Sequence, residues 1–551
     1  MVSVKNSSPG TAFLSSVWLP ILLAVTTFLL YSPSLWSGFV YDAPIQILQE
    51  GYLTSLAHLP EVLTLQVLGM DLHLGTRPGQ LLYLMLVAAV WGKEPLGYHL
   101  GSNLLHAINV ALLFIALRRL IAVELREIPG LKLVKANLAA LFASLIFAVH
   151  PLAVESVAEV SYSSNLFVVL FTLLALLMAM DFRADGSRRS FLIAGAGIFF
   201  CFAAVTCKES GAAAAPLLVA YWFLYRRRDS GIPWLAFLAP ALGVTGLFLV
   251  ARFLLAPPGQ DSLPYLGGSF FQVFWLQPQL WVFMMGKLVW PTNLAADYAL
   301  IDLSGPSPLA SIAILAVVVA LQIWLAFKSR IGAMGVAFYW LGLATVSNFV
   351  PLYRILADRF YYLPLVGVTL QLLALLLLLR PWRWGYRIAL AILGVALLPL
   401  GGITVMRQAV FANEFDLWND TVQANPYSTI GHAKLAAELV GKGRLNEALA
   451  HYQVALQISP NVAEIHNNLG GLFFQTGHGD EALAQFQRTL ELNPNYLIAR
   501  YNLGIVLLQK NRPDEAADQF QEALRLKPDF TQARESLAKA RELAAQKSLS
   551  K

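Results

Sequence analysis

Up to Met406 the chain alternates long apolar runs with short polar connections; beyond it a more polar pattern recurs at a fixed spacing. A helix needs about 20 residues, and at least about 17, to cross a hydrocarbon core of about 30 Å. On that measure the first part predicts about eleven spans, near residues 14–31, 97–117, 137–154, 163–181, 191–207, 211–225, 232–255, 308–327, 332–349, 360–380 and 387–406. The first run is long and no small-residue cleavage pattern follows it, so it reads as a retained span and not as a signal peptide. Two further apolar segments, 78–91 and 271–290, either cross the membrane or lie along its surface.

Charge decides between those two placements. The basic-rich connections are Arg118-Arg119 with Arg126, Lys132 and Lys135; Arg183 with Arg188-Arg189; Arg226 to Arg228; Lys328 with Arg330; and Arg380 to Arg387. The positive-inside rule puts all of them in the cytoplasm. A crossing by either doubtful segment would invert a basic neighbour, so both are expected to start and finish on the outer side. The N-terminus is then cytoplasmic and everything after Met406 is outside. The outer face collects Asp42, Asp71, Arg77, His150, Glu155, Lys208, Glu209, Asp297, Arg354, Asp358 and Arg359. Chemistry is expected there.

Beyond Met406 the prolines Pro426, Pro460, Pro494 and Pro528 follow one another at intervals of 34 residues, the tetratricopeptide period. Small and aromatic residues fall where the two helices of such a unit meet: Ala448 with Tyr452, Gly470 and Ala482 with Phe486, Gly504 and Ala516 with Phe520. The expected organisation is a membrane domain over 1–406 with an outer loop at 32–96, a connecting half repeat at 407–424, three full units over 425–530, and a capping helix and tail at 531–551. Such arrays bind an extended peptide or a partner helix in their concave groove. Asn467, Asn468, Arg500 and Asn502 lie on first helices and are the groove candidates.

Composition agrees with this division. Of 551 residues 57% are hydrophobic and only 13% charged, which describes an integral membrane protein where length alone would allow three or four soluble domains. The net charge of +6 sits in short clusters beside apolar runs and reflects topology, so no nucleic-acid partner is expected. Cys201 and Cys207 share one apolar segment on different helical faces, and neither a disulfide framework nor a metal site is indicated.

Four constellations could carry chemistry. Asp42, just past the first span, is either a general base or a solvated loop acid. Lys208-Glu209 lies between two short apolar runs and is either held in a polar cavity or a self-neutralising surface turn. His150-Pro151 leads to Glu155 and Glu159, two acids expected on one helical face. Arg354 and Asp358-Arg359 open a span, where arginine either binds a phosphate through its planar fork or anchors the helix at the interface. No phosphate-cradling glycine loop, zinc-ligand spacing or nucleophile elbow is present in the sequence.

Taken in order, these stretches resemble a known family. Gly38 to Asp42, Arg77-Pro78, Gly97 to Leu100, Leu105 to Asn109, His150-Pro151 with Glu155, Cys207-Lys208-Glu209, Trp290 to Leu294 with Asp297-Tyr298, Ala357 to Pro364 and the repeats are similar to the transmembrane and tetratricopeptide-repeat O-mannosyltransferases and their bacterial relatives. The resemblance implies an all-α chain: a polytopic membrane bundle of the GT-C type of lipid-dependent glycosyltransferases, followed by a TPR α-solenoid. It implies inverting transfer of a sugar, mannose among the possibilities, from a polyprenyl-phosphate carrier to a hydroxyl of a protein outside the cytoplasm. The enzyme would sit in the bacterial inner membrane with its repeats in the periplasm, or in the lumen of the endoplasmic reticulum in a eukaryote.

In that reading Asp42 is the catalytic base with His150 and Glu155 beside it, and Lys208, Arg354 and Arg359 are candidates for the carrier phosphate. Arg77, Glu209, Asp297 and Asp358 play supporting parts. A monophosphate carrier needs no metal, while a diphosphate carrier calls for a divalent ion; no other cofactor is implied. The sequence departs from the family at Ala43 in place of a second acid, at Ala153 in place of a second histidine, and at Tyr162-Ser163-Ser164-Asn165 in place of Gly-Arg-x-Asp. Two other readings stand beside the enzyme: a repeat-bearing scaffold for envelope or secretion complexes, and transfer to a lipid or polysaccharide.

Overall fold

The computed structural model describes residues 18–49, 51–72, 74–125, 133–183, 185–226, 231–256, 269–298, 307–347 and 354–549. Of the residues discussed above, Arg126, Lys132, Arg227 and Arg228 lie outside them, as do 14–17 of the first expected span and 348–349 of the ninth. Regular structure among the described residues is entirely helical. In hydrocarbon a chain segment has no water to bond its peptide groups, so an apolar run satisfies them internally as helix. The described residues form two compact units that divide between Leu417 and Trp418, within the stretch 407–424 expected as a connection.

In the first unit eight helices are long and apolar enough to cross a membrane: Trp18–Trp36, Pro95–Glu124, Val160–Asp181, Arg188–Cys207, Trp234–Leu255, Pro308–Lys328, Asp358–Leu379 and Trp384–Val410. A ninth, Asn137–Val149 with Pro151–Ala158, is bent by 52° at His150. The chain is therefore a multi-pass membrane protein. Two expected spans are short. Irregular structure from Lys208 to Ala213 leaves Ala214–Tyr221 and a following π turn to Arg226, and Arg330–Ala344 has 15 residues. Neither doubtful segment qualifies as a crossing by length and composition: Pro78–Trp91 has 14 residues, and Phe270–Val289, though 20 residues long, carries Gln272, Gln277, Gln279 and Lys287 and is not apolar enough.

The bundle has a centre and a periphery. Over an apolar 18-residue stretch of each helix, 67% of residues are buried in Val160–Asp181 and 61% in both Pro95–Glu124 and Asp358–Leu379, against 17% in Pro308–Lys328 and 6% in Trp384–Val410. The peripheral helices present Leu309, Phe327, Val395 and Leu398 outward, as contact with lipid tails requires. Inside, close packing replaces hydrophobic driving force. A Cβ on Gly367 would lie 2.5 Å from the Tyr339 nitrogen and 2.6 Å from the Gly335 oxygen, so Arg330–Ala344 and Tyr362–Leu379 touch backbone to backbone.

The polar residues of this unit gather at two ends. One holds Arg119 with Asp181 at 2.9 Å, Arg226 on the Met180 carbonyl at 3.2 Å, and Glu124 receiving the Ser329 hydroxyl and the Arg330 N–H at 3.0 and 3.2 Å. The other holds the candidate outer residues. Val160–Asp181 connects the two ends, with Tyr162 at the second and Asp181 at the first, and Phe270–Val289 ends at the second, where the Leu288 carbonyl meets His150.

The second unit contains three helix pairs, Thr429–Gly441 with Leu445–Ile458, Ala463–Gln475 with Gly479–Leu492, and Leu497–Gln509 with Pro513–Leu526, then Thr531–Leu549. Phe486 and Phe520 fill the space left by Gly470 and Gly504, where a Cβ would stand 2.9 and 2.6 Å from ring atoms. A repeated polar brace closes each turn. His432, His466, Arg500 and Arg534 donate to the carbonyls of Pro426, Pro460, Pro494 and Pro528 at 3.1, 2.9, 2.6 and 2.7 Å. The first three also reach across to His451, Gln485 and Gln519 at 2.8, 2.7 and 3.3 Å.

Candidate active site

The first span leaves the bundle through a 3₁₀ turn, Ser32–Trp36, and an extended strand-like stretch brings the chain to Tyr41. Gly38 is fixed by its N–H on the Ala412 carbonyl at 2.9 Å and by the His99 ring on its own carbonyl at 3.3 Å. Tyr41 adopts φ +62°, which costs a non-glycine residue roughly 1–2 kcal/mol. Its surroundings hold it there. The Tyr41 N–H donates to Glu414 Oε1 at 2.8 Å, its hydroxyl donates to the Ala296 carbonyl at 3.2 Å, and the guanidinium carbons of Arg354 and Arg359 stand 5.6 and 5.7 Å from its ring centre.

Asp42 follows, partly buried, with Oδ2 accepting the Tyr162 hydroxyl at 2.7 Å. Its other oxygen takes no hydrogen bond from a described residue, which leaves it open to a hydroxyl. Ala43, where the family has its second acid, is fully buried among Ile47, Val67, Leu81 and Leu84. Glu159 is buried, and its carboxylate accepts from Ser161. Burial raises Glu159 well above the usual carboxylate range; bonds from Ser161 oppose this, and the charges of Asp42 and Glu414 add to it.

Lys208 ends the helix Arg188–Cys207 and is only 7% exposed. Its ammonium donates to Asn165 Oδ1 at 2.7 Å and lies 5.6 Å from the Phe360 ring centre. Burial, then the nearby charges of Arg77 and Arg359, bring its pKa down from 10.5 to about 7. The four neighbouring arginines differ from it in each touching a carboxylate, with three carboxylates among the four. Arg77 and Arg252 both bind Glu209, at 3.1 and 2.9 Å, Arg354 pairs with Asp297, and Arg359 pairs with Glu155 while its backbone N–H donates to the same carboxylate at 2.7 Å. Burial opposes ionisation of Glu209, but Arg77, Arg252 and Lys208 together hold it at about 2. Among these cations Lys208 alone is left with an amide partner.

One short segment sets the spacing of acid and cation. Tyr162 and Asn165 open the helix Ser163–Asp181, three positions apart and therefore on the same edge, and Asn165 also donates to the Tyr162 carbonyl at 3.1 Å. Tyr162 holds Asp42 and Asn165 holds Lys208. Arg359 caps the arrangement with its guanidinium carbon 3.9 Å from the Tyr162 ring centre, a close cation–π contact.

Beside Lys208 opens an apolar groove of about 460 Å³, walled by Leu82, Tyr83, Phe167, Phe171, Phe202 and Cys207 among others. It is lined from Pro78–Trp91, Ser163–Asp181 and Arg188–Cys207, and its lining includes Thr206 and Cys207, next in sequence to Lys208. Among the described residues no three His, Cys, Asp or Glu side chains are grouped to hold a metal ion.

The structure sorts the sequence candidates. Asp42, Lys208, Arg354, Arg359, Glu155 and Asp297 converge around Tyr41 and Tyr162, with Arg77 and Glu209 behind Lys208. Glu209 forms its ion pairs with Arg77 and Arg252 while Lys208 bonds to Asn165, so the two residues are not a surface turn that pairs only with itself. Asp358 is buried and accepts the Tyr298 hydroxyl at 2.6 Å. Both ring nitrogens of His150 are committed to backbone, Nδ1 accepting from the Leu152 N–H at 3.2 Å and Nε2 donating to Leu288 at 3.0 Å, so it acts as a helix cap. Glu155 and Glu159 do not share a helical face: the helix stops at Ala158, and extended backbone at Glu159 turns its side chain to Ser161. In the repeats Arg500 is committed to its turn brace and Asn467 is largely buried with its amide on Asn468 at 3.2 Å, which leaves Asn468 and Asn502 as the partly exposed pair. Tyr162, Asn165 and Glu414 were missed. The first two stand where the sequence departs from the family motif, and Glu414 is joined to the site only by folding.

The comparisons with known proteins fit this picture. A tetratricopeptide repeat family matches residues 467–530, and a TPR repeat family matches 438–477. Over 213 residues, 37% of this chain and 21% of the relative, the sequence is 32% identical to protein O-mannosyl-transferase Tmtc2 of Drosophila melanogaster. It is 23% identical over 461 residues to protein O-mannosyl-transferase F38B6.6 of Caenorhabditis elegans, covering 80% of this chain and 63% of that protein. It is 25% identical to Tmtc3 of Drosophila melanogaster over 73% of this chain and half of that one. The chain spans from about a fifth to under two thirds of the length of these relatives. Its similarity to the TMTC-type protein O-mannosyl-transferases thus extends over most of its own length.

Proposed function

We propose that this chain transfers a sugar, mannose by kinship with its relatives, from a polyprenyl-phosphate carrier to a hydroxyl of a protein. The observation that carries the reading is the Tyr162–Asn165 segment, which holds a half-open carboxylate and an uncompensated buried cation at one edge of a helix beside an apolar groove. Asp42 takes the proton of the acceptor hydroxyl as that oxygen attacks the anomeric carbon. The bond to the carrier phosphate breaks on the opposite side of the sugar, so the configuration inverts. Lys208 offsets the charge that develops on the departing phosphate, an interaction that strengthens in a dry site. The isoprenoid chain occupies the apolar groove.

In this reading the site end of the bundle faces away from the cytoplasm, because the opposite end carries the basic connections. The repeats recruit the acceptor, with Asn468 and Asn502 in their groove. Purified protein in proteoliposomes, given polyprenyl-phosphate-mannose and a serine- or threonine-rich acceptor, is expected to add a hexose-sized mass to the acceptor. Asp42→Asn should lower the rate by roughly 10²- to 10⁴-fold, the usual worth of general-base catalysis. Equal rates for the two proteins would remove Asp42 from the mechanism. No transfer by the wild type to any hydroxyl acceptor would favour a scaffold.

A further inference from the structure

We propose that Glu414 is a positioning residue for Asp42, acting through the backbone of Tyr41. The inference rests on Asp42 as the base but concerns a residue to which the reaction itself assigns no part.

Two bonds tie the loop after the first span to the stretch that follows the last one. Gly38 N–H donates to the Ala412 carbonyl at 2.9 Å, and Tyr41 N–H donates to Glu414 Oε1 at 2.8 Å. The second bond falls on the residue with φ +62°, immediately before Asp42. A side-chain oxygen that accepts this backbone N–H fixes the peptide group and so helps to hold an unfavourable conformation. The direction of the Asp42 side chain follows from the backbone of Tyr41. If that residue relaxes to an ordinary negative φ, the carboxylate leaves the Tyr162 hydroxyl and the open oxygen loses its aim.

Glu414 begins the helix Glu414–Ala424, and its first turn also contains Asp416. Asp416 bonds locally to Asn413, its Oδ2 receiving the Asn413 amide at 2.7 Å and its N–H reaching Asn413 Oδ1 at 3.0 Å. The capping of this helix therefore has its own residues, and Glu414 Oε1 accepts from the loop. What matters at 414 in this account is an acceptor oxygen at the right reach. Glutamine supplies one and alanine does not.

The test compares wild type, Glu414→Ala and Glu414→Gln in two measurements on the full-length protein. The first is hydrogen exchange of the peptide containing residues 38–43, which needs no activity. The second is the donor dependence of sugar transfer. Glu414→Ala is expected to speed exchange at 38–43, with the exchange of the core helix Val160–Asp181 unchanged. It should lower kcat by about 10- to 100-fold, the scale of a small misplacement of a reacting group, and leave the KM for the donor within about twofold. Glu414→Gln should return both readouts most of the way to wild type.

Unchanged exchange at 38–43 in Glu414→Ala would overturn the proposal. So would Glu414→Gln as impaired as Glu414→Ala, because the charge and not the acceptor would then be what counts. If wild type itself transfers no sugar, the proposed function fails, while the exchange measurement still decides whether Glu414 holds the loop.

Discussion

At the scale of single residues, the proposed site sets Lys208 apart from its cationic neighbours. Arg354 and Arg359 are each paired with a carboxylate of their own, and Arg77 shares Glu209 with Arg252. Lys208 has Asn165, which orients the ammonium without neutralising it. The cost appears in its pKa, brought by burial and like charges to about 7. Below that value Lys208 is charged and ready for a phosphate; above it the free enzyme loses the charge. The kcat/KM for the lipid donor is therefore expected to fall about tenfold per unit as pH rises past about 7. Stability moves the other way. The unfolded chain keeps its proton up to about 10.5, so between 7 and 10.5 it binds more protons than the folded one and folding becomes more favourable with rising pH. Unfolding cannot mimic the loss. Lys208→Arg keeps its charge throughout and should give a flat profile over the same range, at lower overall efficiency because a planar fork does not fit the seat of an ammonium. A wild-type profile that stays flat to pH 9 would exclude Lys208 as the phosphate ligand.

At the scale of elements, sequence periodicity and local chemistry were legible to different degrees. The long apolar runs and the period of 34 named most of the helices, because hydrophobic length and repeat spacing are written in contiguous residues. The end of the helix at Ala158 was not, since Glu159 is stopped by a local bond to Ser161 that competes with the next helical turn. The shortness of Ala214–Tyr221 was equally hidden, the irregular backbone before it being the seat of Lys208 and Glu209. Packing between elements can be tested where backbones meet. Gly367→Ala puts a methyl group against the Tyr339 nitrogen and the Gly335 oxygen, neither of which can swing aside. It is expected to destabilise the bundle by about 1–3 kcal/mol, the usual range for overpacking. Gly401→Ala, at a peripheral position with nothing within 4 Å, should be neutral or slightly stabilising. Melting of the two variants in the same detergent checks this; equal melting temperatures would mean that the two helices are not in backbone contact.

At the scale of the whole molecule, the feature that sequence reasoning reached furthest toward is the separation of two polar ends. Counting basic connections assigned Asp42, Lys208, Asp297, Arg354 and Arg359 to one side before any contact between them was visible. The fold brings those residues together, and gathers Arg119, Asp181, Arg226 and Arg330 at the other end. Pairings across hundreds of residues, such as Glu155 with Arg359 or Tyr41 with Glu414, were beyond the sequence because nothing local encodes them. The alternation of ends makes a prediction about accessibility. Cys201 and Cys207 are both buried, so single cysteines can be introduced and labelled against a low background. Asp185→Cys, in the connection before Arg188, and Ala57→Cys, in the loop after the first span, belong to opposite ends of the bundle. In intact cells or sealed vesicles a membrane-impermeant maleimide is expected to label Ala57→Cys from the non-cytoplasmic side, and Asp185→Cys only after permeabilisation. Labelling of both from one side would break the alternation on which the placement of the site rests. Labelling of Asp185→Cys alone would keep the alternation and invert the protein, which would turn the site toward the cytoplasm and remove its access to acceptors outside.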